Sequence, residues 1–306
     1  MINFRYHIVS LMAVFIALAV GIAVGVSLSP SVDEGILAQA AQDRKQVTDL
    51  RAEIDRRNAL DSYRQSYEQQ VGQVVLAGEL SNTRVALVGM PDAPSAVVES
   101  VSAAVEQAGG TVVADLKVGD EVFDPDKADQ VNKTLAEMAG ATGATDEMST
   151  ATRFGRALAR AVAAKNGGVR DVEAKRVGAG LAAAGLANVR QDVSEAAQLV
   201  IVVTAPGTTP ALPADQLDAH VQTELALKQQ DQVGVVVAGP NSEGLTGTDV
   251  LTVRTTSAAA EVLSTVDVAD LASGVTTTVL AGKEQLMGGN GQYGALARAD
   301  GPLPVR

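Results

Sequence analysis

The chain has no cysteine, no tryptophan, only two histidines, and aromatic residues at 3% of its 306 positions. Without cysteine there is no disulfide, no thiolate nucleophile and no thiolate metal centre. So few rings disfavour base-stacking platforms and carbohydrate-stacking clefts. Positive charge is short too: 24 Lys and Arg stand against 36 Asp and Glu, a formal net charge of −12. An acidic surface argues against nucleic acid and anionic lipid headgroups as partners. No G-x-G-x-x-G follows the first predicted strand and no G-x-x-x-x-G-K-[ST] occurs, so neither common nucleotide cradle is expected. G-x-S-x-G is missing as well, and His7 stands beside an apolar run, which leaves His220 as the one candidate imidazole base. His220 falls in a predicted helix, where a polar face accounts for it. Met90, Met138, Met148 and Met287 are scattered, and copper(I) wants clustered soft ligands, so no metal site is expected. These absences together point away from an enzyme.

What the chain does have is Ile8 to Leu28, 21 residues without a charge. As a helix this run rises about 32 Å, enough to cross the hydrocarbon core of a bilayer. A cleaved signal peptide is the rival reading, but its apolar region is usually shorter, and Ser27-Leu28-Ser29-Pro30 matches an A-x-A cleavage site poorly. Arg5 precedes the run and the next basic residue is Arg44, so the positive-inside rule keeps the amino end cytoplasmic and exports the rest. Ala13, Ala17, Gly21 and Gly25 recur every fourth residue, a stripe that favours helix dimerisation or is common membrane-helix composition.

The organisation follows: 1–30 a stub and transmembrane anchor, 31–80 a long helix, 81–306 an exported domain. Ser31 is the expected cap of the long helix. Ile36, Ala40, Val47, Leu50 and Ile54 follow a 3–4 spacing that Leu60, Tyr63, Tyr67, Val71 and Val74 resume after a shift. Arg57 and Asp61 occupy positions where the first register asks for apolar groups. The pattern is a short, imperfect coiled coil, or an amphipathic helix folded back on the domain; the former fits a parallel homodimer.

From Thr83 short apolar runs alternate with helical stretches. Strands are expected at 85–89, from 111, at 199–203, 233–237, 249–253 and 276–280, with helices at 94–108, 126–138, 149–164, 171–186, 215–230 and 258–263. That alternation predicts an α/β fold, a three-layer domain with a mainly parallel sheet. Three strands end in similar loops: Gly89-Met-Pro-Asp92, Ala205-Pro206-Gly207-Thr208 and Ala238-Gly-Pro-Asn241-Ser242. Carboxyl ends of parallel strands surround the ligand crevice in such folds, so Asp92, Pro206, Gly207 and Asn241 are candidate binding residues, or ordinary loop residues. The last landmark is Gly288-Gly289-Asn-Gly291-Gln292-Tyr293-Gly294, where the backbone is contorted or another chain comes close. It is expected to pack near the loops, with Tyr293 as an anchor.

The basic-then-apolar opening, the Gln/Arg/Asp-rich helix, Pro91-Asp92, Ser264-Thr-Val-Asp267 and the Gly288–Gly294 motif together resemble the MctB family of actinobacterial envelope proteins, nearly from end to end. The resemblance implies copper homeostasis, with copper entering on this ground alone and no other cofactor. It implies an inner-membrane location, or the outer mycolate layer where some members are placed as channels. SteB-like proteins share the layout, and they imply daughter-cell separation with a SteA-like cytoplasmic partner and other envelope proteins. The residues themselves suit a dimeric receptor or scaffold better than a channel, since one span forms no pore and no alternating strands suggest a membrane barrel.

Overall fold

A computed structural model of the protein describes residues 4–27, 30–164, 166–189, 194–207, 211–231, 233–242 and 246–304. The chain divides into two compact units, Met1–Arg64 and Gln65–Arg306. In the first unit, helix α1 covers Phe4–Ser27 and α2 begins at Pro30, continuing to Leu76. Pro30, the residue before the expected Ser31 cap, is already helical, and proline is tolerated in a first helical turn. Among the described residues α1 holds the one stretch long and apolar enough to cross a membrane, His7–Gly25. Ala13, Ala17, Gly21 and Gly25 lie exposed on it, with nothing within 4 Å of where a Cβ of either glycine would stand. On α2 the side chains of Val47, Leu50 and Ile54 are exposed; that of Ile36 lies outside the described residues.

In the second unit the strands are β1 (Arg84–Gly89), β2 (Thr111–Lys117), the antiparallel pair β3 (Gly168–Val169) and β4 (Glu195–Ala196), then β5 (Leu199–Val203), β6 (Gly234–Ala238), β7 (Ser264–Val266) and β8 (Gln292–Tyr293). Six of them form a sheet in the order β2-β1-β5-β6-β7-β8, every pairing parallel. The helices are α3 (Ser95–Gln107), α4 (Ala128–Ala136), α5 (Ala139–Thr142), α6 (Thr150–Val162), α7 (Val172–Ala183), α8 (Ala214–Asp231), α9 (Asp249–Thr255), α10 (Ser257–Ala260) and α11 (Ala272–Leu286).

Both faces of the sheet are covered, and the side chains divide by the two-residue period of a strand. Leu199, Ile201 and Val203 point into one core with Leu87, Val236 and residues of α3 and α11. Val200 and Val202 point into the other with Val88, Val235, Val237 and residues of α6 and α8. All five residues of β5 are buried. At about 1.5–3 kcal/mol for each buried Val, Leu or Ile side chain, the central strands are a main source of the fold's stability.

Two expected strands are helices. Thr276–Leu280 sits inside α11 although its β-branched residues favour a strand. The threonine hydroxyls donate to carbonyls four residues back, Thr276 to Ala272 and Thr278 to Gly274, and α11 packs on β6 and β7 with Thr278 fully buried. That packing outweighs propensity. Asp249–Val253 opens α9 instead, because the Thr248 hydroxyl accepts from the Leu251 N–H as an N-cap. The strands that complete the sheet are β7 and β8, drawn from Ser264-Thr-Val and from within the glycine motif.

Candidate functional site

Strand order reverses between β1 and β5, and in an open parallel sheet that switch point, at the carboxyl edge, is where a crevice opens. The loops after β1, β5 and β6 do adjoin there. The Met90 N–H donates to Val203 O at 2.9 Å, and Gly207 N–H to Ser242 Oγ at 2.9 Å. The Asn241 N–H donates to the Asp270 carboxylate at 2.6 Å, tying in the loop after β7. Thr208 lies outside the described residues. Asp92 is exposed, in a left-handed backbone conformation (φ 58°) that a short polar side chain tolerates. Pro91 and Asp92 form a tight turn closed by the Ala93 N–H on Met90 O.

The glycine motif runs from one edge of the sheet to the other: its first half stands apart from these loops, while Tyr293 is level with Val203, Ala238 and Val266 at the carboxyl ends of the neighbouring strands. Gly288, Gly289 and Gly291 lead into β8 at the amino edge of the sheet, where the Asn290 amide donates to Ala260 O and the Gly291 N–H to Ser264 Oγ. Gln292 is buried, its amide donating to Ala260 O and Leu263 O and accepting from Thr265 Oγ1 at 2.7 Å. Tyr293 is buried with the α3/α11 core, and its hydroxyl donates to Glu284 at 2.7 Å; burial and that carboxylate push its pKa upward. Gly294 follows at φ 134°, where a Cβ would overlap the Asp267 carboxylate.

Asp267 ends the Ser264-Thr-Val-Asp267 stretch and is fully buried. It accepts from Ala295 N–H at 2.9 Å and Leu296 N–H at 3.1 Å, and from the Arg254 guanidinium at 2.8 Å. Arg254 spends its remaining donors on Thr265 Oγ1, Tyr293 O and Ala297 O. The two sequence landmarks are thereby halves of one assembly, which fastens β8 and the segment after it to β7.

A third cluster was not legible as a site. His220 is buried rather than placed on a polar face: its Nδ1 lies 2.9 Å from Asp249 Oδ1, and the Phe123 ring stands over it at 4.2 Å between centroids. One turn along α8, Glu224 is fully buried, with no hydrogen bond to either carboxyl oxygen. Desolvation, with Asp249 nearby, raises its pKa well above the usual carboxylate range. The i, i+4 spacing of His220 and Glu224 was the available signal, but their partner Asp249 comes from a segment that reads as a strand. A cleft of about 280 Å³ lined by Phe123, Pro125, Thr150, Pro213 and Gln216 adjoins this cluster. A wider cleft, about 460 Å³, is lined by Gln65, Gln69, Gln73, Gln107 and Thr276 and holds Asp270 as its one carboxylate.

Chemically these groups are turned inward. Among the described residues no set of three or more His, Cys, Asp or Glu is placed to hold a metal ion. Met90 and Met138 are buried in the apolar core around α6, and Met287 is exposed on its own.

A sequence profile described as "Copper transport outer membrane protein, MctB" matches residues 1–304. Curated relatives named "Copper transporter MctB", from Mycobacterium tuberculosis (strain ATCC 25618 / H37Rv) and Mycobacterium bovis (strain ATCC BAA-935 / AF2122/97), are each 27% identical over 310 residues, covering 96% of both chains.

Proposed function

We propose, starting from the fact that this chain belongs to the MctB family, that it is a membrane-anchored envelope protein, not an enzyme, acting as a dimeric receptor or scaffold. One contrast carries this reading. Of the ionisable groups buried in the α/β unit, most are paired internally, as in Arg254–Asp267, His220–Asp249 and Tyr293–Glu284, with Glu224 standing without a hydrogen bond. The large apolar side chains left exposed lie chiefly on α1, the candidate span, and on α2. A protein built this way binds through surfaces, not through chemistry at a reactive centre. The His7–Gly25 stretch supplies the anchor, with the amino end cytoplasmic and residues 31–306 outside. Partner binding falls at the carboxyl edge, on the loops of Asp92, Pro206-Gly207 and Asn241.

Copper handling is the second reading, favoured by the printed name of the relatives. The two diverge in a deletion strain. The scaffold reading expects altered cell separation or envelope integrity with copper tolerance unchanged. Copper accumulation on deletion, restored by the wild type and not by Met or His substitutions, would replace it with the second. Thiol labelling of Ser95→Cys in intact cells tests the orientation, and labelling only after lysis would reverse it.

A further inference from the structure

Two stretches of α2 hold large apolar side chains in water, and they are out of phase with each other. In the first unit, Val47, Leu50 and Ile54 are 47%, 55% and 54% exposed. Their 3–4 spacing makes one heptad stripe. In the second unit, Val71 and Val74 are 38% and 79% exposed, and counting back by heptad steps from Val74 reaches Tyr67 and then Leu60. Carried forward, the first stripe would reach Arg57 and Asp61. The second asks for position 60, three residues beyond Arg57. At this break the charges are paired along their own helix: Arg56 and Arg57 with Glu53, and Arg64 with Asp61 at 3.0 Å. A three-residue insertion of this kind locally overwinds a helix pair.

We infer that α2 presents two seams, each receiving the same seam of a second copy of this chain, parallel and in register, with the phase break between them. This rests on the dimer reading above and specifies how the pair is made. The anchor argues for a second copy as the occupant. Two copies held by α1 in one bilayer present α2 in the same direction and at the same height, which sets identical residues opposite one another. Confinement also raises the effective concentration, which two seams this short require. Charge argues for the parallel sense. In that sense the positions flanking the first seam bring Gln46 opposite the partner's Arg51, and Glu53 opposite the partner's Asn58. The antiparallel sense would set the row of Arg44 and Arg51 against itself.

Because the chain has no cysteine, each introduced thiol is unique. Single substitutions L50C, A52C, L60C, D61C and V74C in the full-length protein, in membranes treated with diamide, read the seams directly. Leu50→Cys, Leu60→Cys and Val74→Cys should give at least about tenfold more disulfide dimer than Ala52→Cys on the far face, with Leu60→Cys well above Asp61→Cys. If Asp61→Cys matches Leu50→Cys while Leu60→Cys falls to the level of Ala52→Cys, one uninterrupted register runs through and the two-seam account is wrong, though a dimer stands. Should no position cross-link and the detergent-solubilised chain scatter light as a monomer, the dimer itself is lost.

Discussion

The Arg254 guanidinium and the Asp267 carboxylate meet at 2.8 Å with neither side chain exposed to solvent. Removing one member leaves the other charged and buried, which costs about 3–5 kcal/mol, whereas removing both costs less. Asp267→Leu should therefore destabilise the protein more than the double variant Arg254→Met/Asp267→Leu in chemical unfolding. Equal loss in the two would mean that the segment after β8, not the ion pair, sets the stability.

The glycines of the motif separate by what surrounds them. Gly288 is at φ 88° with open space where a Cβ would stand, so Gly288→Ala carries only the left-handed backbone cost, about 1–2 kcal/mol. Gly294→Ala adds an overlap with the Asp267 carboxylate and should lower the melting temperature distinctly further. Thermal scans of the two variants in parallel decide it; the reverse order would contradict the geometry.

The central sheet was plain in the sequence because β5 and β6 are buried on both faces, so Leu199-Val-Ile-Val-Val203 and Val233-Gly-Val-Val-Val237 read as unbroken apolar runs, the second one residue ahead of β6. Strands of two or three residues give no such run. β7 and β8 therefore carry no strand signal, although Ser264-Thr-Val-Asp267 and the glycine motif that build them stand out on other grounds. Thr276–Leu280 misled for the opposite reason, its strand-like composition being overruled by packing. Of the candidate site, the loops at the carboxyl edge were legible from the ends of the long strands. The pairing of Arg254 with Asp267, and of His220 with Asp249, depends on folding that brings distant segments together, which no local spacing records.

Glu224 predicts a pH dependence. Its pKa is raised in the fold, so the folded state holds the proton more tightly than the unfolded chain. Its contribution is complete below the ordinary carboxylate pKa and is lost as pH rises through the elevated value. Glu224→Gln, neutral at every pH, should remove this decline and leave the protein no less stable at neutral pH. Unfolding curves at several pH values measure it, and an unchanged pH slope in the variant would exclude Glu224 as the cause.

At the carboxyl edge, Asp92→Ala should weaken partner binding while the melting temperature stays within a few degrees, since the side chain is exposed. Tyr293→Ala should instead cost about 3–5 kcal/mol as a large-to-small change in the core. Tyr293→Phe, losing only the bond to Glu284, should cost about 1–2 kcal/mol. Binding lost in Tyr293→Ala but kept in Tyr293→Phe would assign the glycine motif a supporting role.

Two of the acceptors that Arg254 uses lie far along the chain, at Tyr293 and Ala297. Synthesis proceeds from the amino end, so during growth the guanidinium waits for partners 39 and 43 residues behind it. Until they arrive, the β7 edge of the sheet is unpaired. A nascent or truncated chain lacking them would be marked by an open strand edge, the kind of surface that chaperones hold and proteases cut. The last strand to be made is thus the one that closes this edge of the sheet.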